Sequence, residues 1–205
     1  MNPITREDLA RAFSYPAYLS MVQELYHAGK STGPKQSESL LNFSGLNLRR
    51  MDRVAKKLSL TEESETALAQ LKESQVWVVL TEGWCGDAAQ TLPIIYRMAE
   101  ASEQIELKIL LRDEHLPIMD RYLTNGGRSI PKLIVLRADD LTELTQWGPR
   151  PAEAQKLLYT YKAMDPKPPY EEFNKQLQMW YNKDKGISTQ AEIAARLNQI
   201  HLIEA

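Results

Sequence analysis

The chain of 205 residues contains one cysteine, three histidines and nine glycines. A single cysteine excludes an intramolecular disulfide, and with His27, His115 and His201 scattered along the chain no metal-ligand cluster of recognisable spacing appears, so no zinc or other metal is expected. No glycine-rich phosphate loop and no serine-centred nucleophile motif is present, and no cofactor is expected. No apolar run approaches the length of a membrane span, and Met1 to Asp8 lacks the apolar core of a signal peptide. A lone thiol agrees with a reducing compartment, so the expected location is cytoplasmic. The formal charge is only −2, with both signs mixed throughout, which gives no reason to expect nucleic-acid or membrane binding. Repeats and low-complexity tracts are absent. What remains is the composition of an ordinary soluble globular chain, long enough for one core with extensions.

Against this background one stretch stands out. Val76 to Leu80 is a short continuous run of β-branched and aromatic residues, the pattern of a strand buried on both faces. From Ala88 the period changes, with Ala88, Leu92, Ile95 and Ala99 at helical spacing. Cys85 therefore falls at a strand-to-helix turn. The unpaired N–H groups and positive dipole end of a helix start stabilise a thiolate, so this geometry predicts a partly exposed thiol more acidic than a free one. Asp87 in the same turn acts in the opposite sense.

These residues resemble the thioredoxin family. Trp84-Cys85-Gly86 is similar to the family's Trp-Cys-Gly opening, and Pro93 stands where family members carry a kink-inducing helix proline. Gly127-Arg128-Ser129-Ile130-Pro131, followed by the apolar run Lys132 to Leu136, looks like the family's cis-proline loop and next strand, and Trp147-Gly148 follows the final strand. The resemblance spans roughly residues 60 to 163. It implies an α/β fold of order αβαβαββα, a mixed sheet with helices on both faces. It also implies a nucleophilic Cys85, a cis bond between Ile130 and Pro131, and a substrate-binding edge formed by Trp84, Gly86, Asp87, Ser129, Ile130 and Pro131. Two positions depart from the family: Ala88 stands where the second, resolving cysteine belongs, and Val79 where a buried strand aspartate usually assists proton transfer. The two-cysteine cycle is therefore absent, and a mixed disulfide at Cys85 would need an external thiol for release.

The rest of the chain divides into an N-terminal helical extension (1–59), the thioredoxin-like domain (60–163) and a C-terminal helical appendage packed on it (164–205). A first helix is expected from Thr5, as N-cap, to Tyr15, with Leu9, Ala12 and Phe13 on one face until Pro16 interrupts it. A second, Ala17 to Ala28, carries Leu19, Val22, Leu25 and Tyr26. Leu48, Met51, Val54, Ala55 and Leu58 mark an amphipathic helix whose other face holds Arg49, Arg50, Arg53, Lys56 and Lys57. That basic cluster reads as a solvated face, with docking of an acidic partner as the other use of such a surface. Ser59 with Glu62 suggests a capping box for a helix to Lys72. Strands are expected over 76–82, 105–111, 132–137 and 142–147, and helices over 86–101, 117–123 and 151–163, with strands joined through helices running parallel and the last pair forming a hairpin. In the appendage, Tyr170, Phe173, Leu177, Trp180 and Tyr181 form an aromatic stripe, and Thr189 with Glu192 caps a last helix bearing Ile193, Leu197 and Ile200.

Two functions of different class follow. One is thiol-disulfide exchange or mixed-disulfide handling by the single thiol in cell redox homeostasis, with proteins or low-molecular-weight thiols and disulfides as substrates. The other is a non-catalytic peptide- or protein-binding module in which Cys85 is dispensable. A third, an iron–sulfur cluster shared by two chains as in monothiol glutaredoxins, has only the lone cysteine in its favour. His115, beside Asp113 and Glu114 after the second strand, reads as an exposed loop histidine.

Overall fold

The computed structural model describes residues 3–203, with side chains as far as Ile200. Met1, Asn2, Glu204, Ala205 and the side chain of His201 lie outside the described residues.

Helix α1 (Arg6–Arg11) begins as its sequence dictates: the Thr5 hydroxyl accepts from the Asp8 amide, and the Asp8 carboxylate accepts from the Thr5 amide at 2.8 Å. It is shorter than the periodicity suggests. Phe13 leaves the helix to exchange backbone hydrogen bonds with Ile109, and Ser14 caps a new helix, α2 (Tyr15–His27). Pro16 is therefore a helix starter, where its missing N–H costs nothing, rather than an interruption. The buried face of α2 is Tyr15, Tyr18 and Val22; Leu19 packs at its margin and Leu25 and Tyr26 are half-exposed. Helix α3 (Glu38–Lys57) is one continuous element capped by Ser37, joining Leu40 and Leu41 to the amphipathic stretch after them. Helix α4 (Glu62–Ala69) takes Thr61, not Ser59, as its N-cap, because the Thr61 hydroxyl is the one that accepts from the Ser64 amide.

Four strands, β1 (Gln75–Thr81), β2 (Ile105–Leu111), β3 (Lys132–Arg137) and β4 (Glu143–Trp147), form a sheet in the order β2-β1-β3-β4. Every residue of β1 is buried, as its apolar run requires. Trp77, Val79, Ile109, Leu133 and Val135 face one core with helix α5 (Ala88–Glu100), while Val76, Val78, Leu80, Leu110 and Ile134 face the other. Strand β1 is parallel to β2 but antiparallel to β3, and β3 is antiparallel to β4. The expectation that helix-linked strands run parallel thus fails between β2 and β3. The only α-helix in that link, α6 (Leu116–Met119), has four residues. It rises about 6 Å, against about 23 Å for a seven-residue strand, so the chain turns back at the end where β2 finished.

Helix α7 (Ala152–Ala163) follows Pro151, and α8 (Tyr170–Asp184) and α9 (Ile187–Ile203) complete the chain. Phe173, Leu177 and Tyr181 of α8 are buried against Ala154, Leu157 and Tyr161 of α7. Helix α9 starts before Thr189, which is itself buried, so the Thr189–Glu192 capping box does not form; Glu192 instead accepts from Trp147 Nε1 (2.7 Å) and the Ala152 amide (2.7 Å). Ile193, Leu197 and Ile200 enter the main core alongside Ala67 and Leu68 of α4. Among the described residues no helix is long and apolar enough to cross a membrane.

Candidate functional site

The loop between β1 and α5 is held from two sides by the N-terminal segment. Asn47 Nδ2 of α3 donates to the Gly83 carbonyl (3.0 Å), and the Gly83 amide donates to Thr32 Oγ1 (2.9 Å). This sets Cys85 just before α5. Its Sγ donates to the Ile130 carbonyl at 3.3 Å and accepts from the Ala88 amide at 3.4 Å. The Ile130–Pro131 peptide bond is cis. The cysteine and the Ile130 loop therefore converge.

The ionisation of the thiol is the reverse of the expectation. Cys85 is only 7% exposed, and burial, reinforced by the Asp87 carboxylate, pushes its pKa up to about 12 despite the Ala88 and Asp87 amides and Arg150. Desolvation of a thiolate outweighs the donors of one helix start. Asp87 occupies the N-cap position without capping: its carboxylate turns to the Arg150 guanidinium and accepts from the Tyr181 hydroxyl at 2.7 Å. Burial opposes the charge on Arg150, but the hydrogen bond and ion pair with Asp87 more than offset it, and the Tyr181 phenol is raised by burial and by Asp87. One carboxylate, two residues from the thiol, thus joins α5, the segment after β4 and α8.

The other expected site residues are distributed unevenly. Trp84 is half-exposed with the Arg112 guanidinium 4.9 Å from its ring centroid, Gly86 and Ser129 are half-exposed, and Asp87, Ile130 and Pro131 are buried. Arg112 also donates to the Arg128 carbonyl (3.1 Å), tying the Trp84 side of the site to the loop before Pro131. His115 is half-buried, its Nδ1 2.9 Å from the Leu111 carbonyl, and no contact joins it to Cys85. Among the described residues no three His, Cys, Asp or Glu side chains gather as a metal site.

The thioredoxin family model matches residues 33–165. The chain belongs to the thioredoxin family. Two solved structures are similar in fold: a protein of unknown function from Pseudomonas aeruginosa, 18% identical with TM-score 0.57, covering 91% of this chain and 98% of that one, and an HIV epitope-scaffold, 18% identical with TM-score 0.55, covering 86% and 97%. No curated protein matches.

Within this thioredoxin-family chain, the departures in sequence are visible in space. Ala88, 2% exposed, offers a methyl group beside Cys85 where a second thiol would sit, and Val79 is fully buried on β1 with no charge. The buried carboxyl nearest the end of β1 is Glu82, whose Oε1 accepts from the Asp113 amide (2.9 Å) while Oε2 has no hydrogen-bond partner; burial raises its pKa, opposed by the Thr32 side chain and the Asp113 amide and reinforced by the Asp113 carboxylate. Sequence reading missed Glu82, Arg150 and Tyr181. Glu82 carried one signal, an acid directly continuing an apolar strand. Tyr181 was seen only as part of an aromatic stripe, and Arg150 had no signal at all.

Proposed function

We propose that this thioredoxin-family chain is a binding module whose Cys85 is held as a buried neutral thiol beside the Asp87 tie to α8. The observation that carries the reading is the burial of Cys85, with its pKa near 12, among Ala88, Ile130 and the sheet residues and beside the Asp87 carboxylate. A thiol so placed is almost wholly protonated near neutrality, and the thiolate is the nucleophile. Ala88 supplies no second thiol to complete a cycle. Trp84, Gly86 and Ser129 form the accessible part of the family's binding edge, with Arg112 packed on Trp84. A cytoplasmic peptide or protein partner fits this edge. The test is reduction of a protein disulfide by dithiothreitol with the natural chain and with Cys85→Ala. The expected result is the same background rate for both, and Cys85-dependent turnover would overturn the reading.

A second reading, single-thiol exchange after α8 lifts, is favoured by one observation. The Cys85 sulfur receives the Ala88 amide and lies on the Ile130 carbonyl, so it stands at the Ile130–Pro131 edge. In that state the Cys85 thiolate would attack one sulfur of a disulfide, form a mixed disulfide and expel the other sulfur as thiolate, and an external thiol would then release Cys85 reduced. Tyr181→Phe removes the hydroxyl that ties α8 to Asp87. Faster alkylation and exchange in that variant would select this reading, and unchanged rates would reject it.

A further inference from the structure

The basic face of α3 is more than a solvated surface. Arg50 and Arg53 are only partly exposed, yet neither they nor Lys57 or Lys185 forms an ion pair with a carboxylate among the described residues. The carboxylates around them are engaged elsewhere: Asp52 with Lys56, Asp87 with Arg150 and Tyr181, and Asp184 with the Ser188 and Gly186 amides. Arg50 has its pKa lowered by burial and by Arg53, with Asp87 acting in the opposite sense.

These side chains open onto a groove between α3 and α8 that comprises two adjoining cavities of ≈ 210 and ≈ 330 Å³ sharing Arg53, Gln90 and Asn182. Together they approach the volume of an ordinary small-molecule site. The hydrogen bonds along its floor run in one direction. Arg53 donates to Gln90 Oε1 (3.3 Å) and Gln90 Nε2 donates to Gln178 Oε1 (2.7 Å), but Gln178 Nε2 is buried without an acceptor. That unused donor and Arg50 Nη1, which also donates to Asn47 Oδ1 (3.0 Å), flank the same point: a Cβ built on Gly86 would lie 3.5 Å from one and 3.6 Å from the other. A partly desolvated site rich in donors, with unpaired cations and a donor lacking an acceptor, is complementary to an acceptor-only group.

We propose that this groove binds a small organic anion, its phosphate or carboxylate received by Arg50, Arg53 and Gln178 and its apolar part lying against Val54, Leu58 and Ile94. The proposal goes beyond the binding edge at Trp84 and requires nothing of Cys85. Phenyl phosphate and benzoate, with benzyl alcohol as the neutral control, are titrated into the full chain by calorimetry and followed through the Gln178 side-chain amide resonance. The expected result is saturable binding of at least one anion, with displacement of that resonance and no binding of the alcohol; which anion binds more tightly identifies the headgroup. Arg53→Gln should weaken it about tenfold, as loss of one charge-assisted contact does, while Lys56→Gln, on the outer side of α3 and paired with Asp52, should bind as the natural chain does. Failure of both anions to bind, equal binding of benzyl alcohol, or an unmoved Gln178 amide would overturn the proposal. The amide readout uses the natural chain, so it decides even if Arg53→Gln fails to fold.

Discussion

The proton on Cys85 should make the protein sensitive to alkali in a way that one substitution removes. In the folded chain burial and Asp87 push the thiol to about pKa 12. In the unfolded chain it titrates at roughly 8.5. The folded pKa is the higher one, so the contribution is fully present below about pH 8.5 and is lost as pH rises, the unfolded state binding fewer protons across that window. The loss proceeds at about 1.4 kcal/mol per pH unit and amounts to about 2 kcal/mol by about pH 10, relative to neutrality. Tyr15, Tyr18, Tyr122 and Tyr181 are also raised, Tyr15, Tyr18 and Tyr181 mainly by burial and Tyr122 by burial and Glu143. Their contributions cancel when the natural chain is compared with Cys85→Ala at each pH. Urea unfolding from about pH 7 to about pH 10 is the assay, and the natural chain should lose about 2 kcal/mol more than the variant. A constant offset between the two curves would reflect only the small cavity left by the sulfur. Curves that fall in parallel across the whole range would refute the argument, since the thiol would then titrate alike in both states.

Two further outcomes follow from the same geometry. Ala88→Cys places a second thiol in the turn whose amide already lies 3.4 Å from Cys85 Sγ, and mild oxidation should close a reversible internal disulfide detected as the loss of both titratable thiols; two persistent thiols would show that the side chains point apart. Gly148→Ala should lower stability by about 3 kcal/mol or more in denaturant unfolding. Gly148 has φ +110 and its Cβ would collide with the Pro131 carbonyl oxygen, so an unchanged midpoint would mean that these backbone segments do not approach so closely.

Much of the fold was legible because the relevant signals are local. The runs Val76 to Leu80 and Lys132 to Leu136 declare buried strands by their side chains, and both are central in the sheet. The Thr5–Asp8 cap needed only four residues to be seen. Choices between neighbouring signals were less legible. Thr61 rather than Ser59 caps α4, where the Thr61 amide is also fixed by Gln190 Oε1, 129 residues away (2.9 Å). The direction of β3 depended on whether α6 was long enough to cross the sheet, a matter of element boundaries, which sequence patterns place least well. At the site, the change of period at Cys85 gave its position. Its protonation follows from burial and the Asp87 carboxylate, and the partners that hold that carboxylate, Arg150 and Tyr181, lie 63 and 94 positions beyond Asp87, where no local pattern links them to it.

The tie on Asp87 beside the thiol and the aromatic stripe of α8 prove to be one feature. Phe173, Leu177 and Tyr181 fall at successive i, i+4 positions, so burying that stripe against α7 carries the Tyr181 hydroxyl to Asp87. Opening the site by pulling α8 off α7 returns these three side chains to water. At about 1.5–3 kcal/mol each, that costs at least ~5 kcal/mol, before the loss of the Tyr181 hydrogen bond to a carboxylate. An open state ~5 kcal/mol above the closed one is populated at roughly one part in several thousand, and a thiol even there would still have to lose its proton beside Asp87. Exchange at Cys85 through such an open state, as the second reading has it, would be held back twice, once by population and once by protonation. A partner could relieve both only by binding the open form more tightly than the closed one, through contacts to the aromatic face of α8 or to Arg150 that the closed form does not offer.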